Sequence, residues 1–406
     1  MWLCKREVNI GSFITLGIER LEVDWAKNSF GQNHSRLFLP SDLKDVTYYY
    51  ADDVTEQKPG YSRDLRSVLK RLELLGYTLE GCQKMYADLG RHPEYEQRPP
   101  VPFGTLLRGL SSVDVTKFGI PDDPSYFDFG EYVISNITAD PECVRSAPDL
   151  AAVDRLDGYF LENLDPYIVL RLLAENPRNL DREVAWRFSD LAEAGWIDDN
   201  SIYEGLAASD RFLLVTEGSS DTNILKKSLE LVEPEVADFF NFIDMAENYP
   251  FTGTGNLVRF CEGLAKIRIQ NRVLVILDND TAGRAAAQRL CGLDLPAQIR
   301  TIVLPDLEKC QRVRTLGPNG ESLENVNGHA VSIEFFLDLN YGSVLPSTVR
   351  WTSYDEKQDA YQGELVAKED YVRTFFDAAG KKSGYDTSCL TCLWHHILSR
   401  CHGKWD

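Results

Sequence analysis

Four short apolar runs stand out in the second half of the chain: FLLVT at 212–216, FFNFID at 239–244, VLVILD at 273–278 and IRTIVL at 299–304. Between them lie segments with apolar residues at helical spacing, one running through Leu231, then LVRFCEGLAKI and RAAAQRLC. Strands that are apolar throughout, rather than alternating, are buried on both faces. Their alternation with helices predicts a parallel sheet covered on both sides. In such sheets functional groups collect just beyond the C-terminal ends of the strands.

The first half has a different texture. Strand-like runs (SFITLGI, SRLFL, VTYYY) are separated by polar breaks at Asn28, Gly31, Asp52 and Pro59. Residues 62–90 predict two helices, the first with Leu65, Val68, Leu69, Leu72 and Leu75 on one stripe and Gly76 as its stop. HPEYEQRPPVPFG reads as an extended connection. The stretch 145–207, including DREVAWRFSDLAEAGW, is expected to be helical and acidic. The expected fold class is a multidomain α/β protein. It divides into an N-terminal domain over 1–208 (an α+β lobe to about 110, a helical part over about 120–208), a parallel-sheet domain over 209–342 and a helical extension over 343–406.

Charge sharpens this picture. The net charge of −20 argues against a polyanionic partner until its distribution is read. Residues 122–210 hold 20 acidic and 6 basic side chains, whereas residues 257–314 hold 10 basic and 6 acidic ones. That segment of the sheet domain is therefore locally basic, and an acidic stretch precedes it in the chain. The N-terminus lacks the apolar stretch of a signal peptide, and no apolar segment approaches the ~20 residues of a membrane span, so a cytoplasmic protein without membrane contact is expected. Nine cysteines spread over the chain do not form a disulfide pattern. Cys389, Cys392, His395 and Cys401 have side chains able to bind zinc, yet SCLTCLWHHILSRCH also fits one amphipathic helix. A straight helix wraps four ligands around an ion poorly, which favours the packed helix.

The acids of the sheet domain fall where chemistry is expected. Glu217 follows the first strand, and Asp278 and Asp280 follow the third. Carboxylates gathered on rigid strand ends repel one another unless a hard cation sits among them, and Mg²⁺ (or Mn²⁺) takes oxygen ligands while keeping waters. Gly218 is expected to permit a sharp turn and Gly283 a close helix approach. Gly253 and Gly255 can bring backbone N–H groups to a phosphate. Arg259, Lys266 and Arg284 are the candidate phosphate-contacting cations, and for each the plainer reading is a solvated surface charge.

LLVTEGSSD (213–221) and VLVILDNDTAG (273–283) together resemble the Toprim family, whose members include primases, topoisomerases, recombination proteins and OLD-type nucleases. The resemblance implies a Rossmann-like sheet, Glu217 as general acid/base, and Asp278 and Asp280 as Mg²⁺ ligands. Asp221 matches a further acid of many members, and Glu334 in VSIEFFLD resembles a late acid of the OLD-type branch. SFITLGIERLEVDWAKN and YSRDLRSVLKRLELLGYTLEG resemble the HEPN/Toprim-associated N-terminal domain, which implies a sensor or substrate-recognition module joined to a nuclease effector in a bacterial antiviral system. Trp25, Lys27 and Asn28 are candidates for its binding surface, with a plain structural role the better reading. The expected activity is metal-dependent cleavage of nucleic acid, with RNA, and tRNA in particular, slightly ahead of DNA. A homo-oligomer or a defence-system partner protein is compatible with it. No histidine has an arginine at the HEPN ribonuclease spacing and no Walker A sequence occurs, so neither chemistry is expected. The competing reading is a non-catalytic nucleic-acid-binding or regulatory module.

Overall fold

The structure is a computed structural model, and it describes residues 12–402 apart from 52–53, 93–100, 118–129, 131–132, 134–136, 139, 150–159, 199–200, 244–253, 319, 343–346, 380 and 382–383. The chain divides into two compact units, Met1–Ala207 and Ala208–Asp406.

The first unit is built on an antiparallel sheet of β1 (Phe13–Ile18), β2 (Leu21–Lys27), β3 (Leu43–Ala51), β4 (Val54–Asp64) and β5 (Glu183–Arg187), in the order β2-β1-β5-β4-β3. Helix α1 (Leu65–Leu74) starts where the Asp64 carboxylate accepts the Ser67 N–H (2.7 Å). It ends before Gly76, whose φ of +99° favours glycine. Its buried Leu65, Val68 and Leu72 join one core with Leu16, Ile18, Trp186 and Leu170. Helices α2 (Leu79–Leu89), α3 (Phe103–Ser112) and α4 (Pro166–Leu173) complete that layer, and a short α5 (Ser189–Glu193) follows β5.

Two expectations fail here. SRLFL is not a strand, since Ser35–Leu37 form a 3-10 turn that buries Ser35 and Leu37. EVAWR, expected to be helical, is the central strand β5, paired through Trp186 with both Leu16 and Tyr61. A central strand is buried on both faces and loses the alternation that would mark it. Trp25 lies on β2 beside Phe13 (6.1 Å), Lys27 caps the same ring (5.4 Å), and Asn28 adopts a left-handed turn (φ 54°) with its Oδ1 accepting the Ser12 N–H. These are structural contacts.

The second unit contains the expected parallel sheet. Strands β6 (Phe212–Val215), β7 (Phe240–Ile243), β8 (Arg272–Leu277) and β10 (Ile299–Val303) lie in the order β10-β8-β6-β7, all parallel. Between β8 and β10 the chain forms the two-residue β9 (Asn279–Asp280). Helices α6 (Ser219–Val232), α7 (Thr254–Lys266) and α8 (Thr281–Cys291) make the connections. Val215, Val273, Val275 and Leu277 pack against Leu257 and Cys261 of α7 and Leu290 of α8. On the other face Phe212 stacks on Phe240 (5.6 Å), which meets Trp394 (5.5 Å), and the Trp394 indole donates to Ser228 of α6 (2.8 Å).

A second sheet, β12-β11-β14-β15, consists of β11 (Val313–Gly317), β12 (Gly320–Glu324), β14 (Thr348–Asp355) and β15 (Ala360–Leu365). β13 (Ala330–Val331) pairs with β9. The expectation of a purely helical extension over 343–406 is thus corrected: it carries β14 and β15 before α9 (Lys368–Ala378) and α10 (Ser388–Cys401). Polar, short-turn strands such as TVRWTSYD carry too little apolar signal to be read as strands unaided. Helix α10 is continuous through Cys389, Cys392, His395 and Cys401, with Leu390, Leu393, Trp394, Ile397 and Leu398 buried.

Candidate active site

The strand order creates the site. The connections run to opposite sides of the β6/β8 pair, which makes the C-terminal ends of these two strands the switch point, where open α/β sheets bind their ligands. Val215 and Val275 are paired across this boundary. Glu217 lies two residues past the former and Asp278 three past the latter, on neighbouring strands roughly 4.8 Å apart. The remaining acids reach the same rim by separate routes. Asp221 sits in the first turn of α6. Asp280 is the N-cap of α8. Glu334 arrives because Ala330 and Val331 pair with Asp280 and Asn279.

Each carboxylate has a distinct setting. Asp278 has no hydrogen-bond donor among the described residues. Burial holds its pKa well above the usual carboxylate range, and the charges of Asp221, Asp280, Glu334 and Glu217 raise it further. Asp221 is pushed up to about 7 by burial and by Glu334 and Glu217, against the Gly218 N–H (3.1 Å) and Lys368. Asp280 is raised by burial but partly compensated: one oxygen accepts the Gly283 N–H (2.7 Å) and the other the Gln362 amide (2.6 Å). Glu334 is 3% exposed and accepts the Ser332 hydroxyl (2.6 Å). Asp278 therefore lies within electrostatic reach of all four other acids.

Among the described residues, no three His, Cys, Asp or Glu side chains already form a metal cage. The donor set nonetheless suits a hard divalent ion, because it is all carboxylate oxygen and the central member lacks any donor. Asp278 and Asp280, with Asp221 or Glu334, are the residues that would hold it.

Gly283 behaves as expected: a Cβ there would stand 2.2 Å from the Asp278 carbonyl oxygen. Gly218 does not, since its φ of −133° is ordinary extended backbone and a Cβ would meet only Asp221 at 3.4 Å. A Cβ on Gly255 would enter open space, and Gly253 lies outside the described residues. Arg259 is exposed on α7, and Lys266 occupies its last turn, about 16 Å from Gly255 along the axis. Lys266 is thus at the end of α7 remote from the acids. Arg284 donates to Asn279 Oδ1 (3.0 Å) and stands 4.0 Å from Asp306, so it borders the acidic segment.

Sequence reasoning missed Asn279, whose amide donates to Asp306 (2.6 Å), and Gln362, which bridges Asp280 and the Ala282 N–H (3.0 Å). Asn279 was legible as the middle of DND. Gln362 is 82 residues from Asp280 and carries no local signal.

No curated protein and no solved structure matches the chain. Among the described residues no helix is long and apolar enough to cross a membrane. The model of the family described as HEPN/Toprim N-terminal domain 1 matches residues 10–210, nearly all of the first unit, and leaves the rim acids of the second outside it. The match is to that N-terminal domain alone and places it in the first unit.

Proposed function

We propose that the second unit is a Toprim-type, Mg²⁺-dependent nuclease, and that it is the effector of a bacterial defence system whose sensing part is the matched N-terminal half. The observation that carries this reading is Asp278, a carboxylate without a donor that feels four other acids at the switch point of a parallel sheet. When bound, a divalent ion supplies charge neutralisation at a phosphate and a more acidic water. Asp278 and Asp280 fix its position, with Asp221 or Glu334 completing the set. Glu217, on the neighbouring strand end, handles the proton of the attacking water or of the departing oxygen. Arg284, held by Asn279 at the edge of the acids, is a candidate contact for a phosphate. The link to HEPN/Toprim proteins favours RNA, tRNA foremost, slightly over DNA.

The full chain, incubated with Mg²⁺ or Mn²⁺ and in parallel with total tRNA, plasmid and single-stranded DNA, should cut at least one of them. Glu217→Gln and Asp278→Asn should each lower the rate by ~100-fold or more while leaving the fold intact. Undiminished cleavage by Asp278→Asn refutes the mechanism. The second reading, a non-catalytic nucleic-acid-binding or regulatory module, draws on Asp280, both of whose oxygens are already engaged, one of them in capping α8. It predicts substrate binding without cleavage under every metal tried.

A further inference from the structure

We propose that a cleft of about 450 Å³ lined by Lys309, Arg312 and Arg314 seats the phosphate backbone of a nucleic acid strand running from the acidic rim. The identity of the polyanion rests on the functional reading above; the binding itself does not. Three observations carry it.

The first is position. The segment bearing Lys309 leaves the C-terminal end of β10, where the Leu304 N–H donates to the Leu277 carbonyl (2.9 Å), next to Asp278. Asp306, on the same segment, accepts from Asn279 between the two aspartates. Lys309 donates to the Leu337 carbonyl (3.3 Å), and the Leu337 N–H donates to the Glu334 carbonyl (3.1 Å). The cleft is thereby tied to both acid-bearing segments.

The second is charge. In a chain of net charge −20, this cleft presents three cations against one anion, Glu321. Arg314 is neutralised by that glutamate through two bonds (3.1 and 2.5 Å). Arg312 is exposed and has no acidic partner among the described residues, and Lys309 is exposed with its charge also felt by Asp386. A free guanidinium beside a lysine is the usual equipment for phosphate.

The third is shape and chemistry. Ser322 and Ser347 add hydroxyls to the walls, and the cleft is open along the β11–β12 hairpin rather than closed around a small molecule. An extended backbone fits it.

The test uses the full chain in EDTA, so that nothing is cut, and a fluorescently labelled oligonucleotide in single- and double-stranded form. The double variant Lys309→Glu/Arg312→Glu should bind about tenfold more weakly or worse, with a salt dependence of log K shallower by roughly 0.9 (double-stranded) or roughly 0.7 (single-stranded) for each phosphate that is no longer neutralised. Arg312→Gln alone, which removes only a surface charge, should shift both in the same direction by less. Wild-type affinity and slope in these variants overturn the proposal, as does a wild-type protein that binds neither form, or one that binds polyglutamate as tightly as the oligonucleotide. Asp278→Asn should keep binding in EDTA and, in a parallel assay with Mg²⁺, lose cleavage. If it still cleaves, the acidic-centre reading fails while the cleft stands.

Discussion

At the scale of single residues, the acids of the rim oppose folding unless a cation joins them. An unfolded aspartate ionises near its ordinary 3.8, whereas Asp221 in the folded protein keeps its proton up to about 7, and Asp278 is raised as well. A group with a raised folded pKa contributes stability that is present below the unfolded value and is lost as the pH climbs through the folded one. Metal-free protein should therefore melt lower at pH 8 than at pH 5. Asp278→Asn, by removing the most crowded charge, should raise the melting point of the metal-free protein at pH 8, by the equivalent of roughly 1–3 kcal/mol, with the gap to wild type closing towards pH 4. Thermal melts in EDTA across this range check it, and a gap of constant size would mean that the carboxylates do not repel one another.

At the scale of elements, the site depends on how tightly α8 sits on the end of β8. Gly283 allows this, since any Cβ would collide with the Asp278 carbonyl oxygen at 2.2 Å. Gly283→Ala should cost roughly 1–3 kcal/mol in urea unfolding and should also disturb the rim; unchanged stability would show that the close approach is not required. The same elements show what a sequence can and cannot reveal. FLLV and RVLVIL are legible as buried parallel strands because apolar residues fill them, and the acids at their ends follow directly. β15 is not legible, because AYQGEL is mostly polar, yet its Gln362 holds Asp280 in place. β5 misleads for another reason: burial on both faces leaves EVAWR without alternation, and only its flanking by β1 and β4 makes it a strand. Glu334 is legible from its family likeness alone, and the β9–β13 ladder supplies the physical reason for its place.

At the scale of the whole molecule, the family match and the acids fall on different units, so the chain joins a domain known from HEPN/Toprim proteins to a separate parallel-sheet unit with its own core. The acidic surplus of residues 122–210 belongs almost wholly to the first unit, and the cationic surplus of 257–314 to the second. The cationic segment thus lies in the unit proposed to meet a polyanion. The central claim concerns one cluster in that second unit, and Mn²⁺ binding to the full chain, followed by electron paramagnetic resonance at a pH of about 7.5, where the raised acids can give up their protons to a metal, addresses it most directly. The account predicts that wild-type protein takes up Mn²⁺, that Mg²⁺ displaces it, and that Asp278→Asn loses it. Equal uptake by wild type and Asp278→Asn, or none by either, would contradict it.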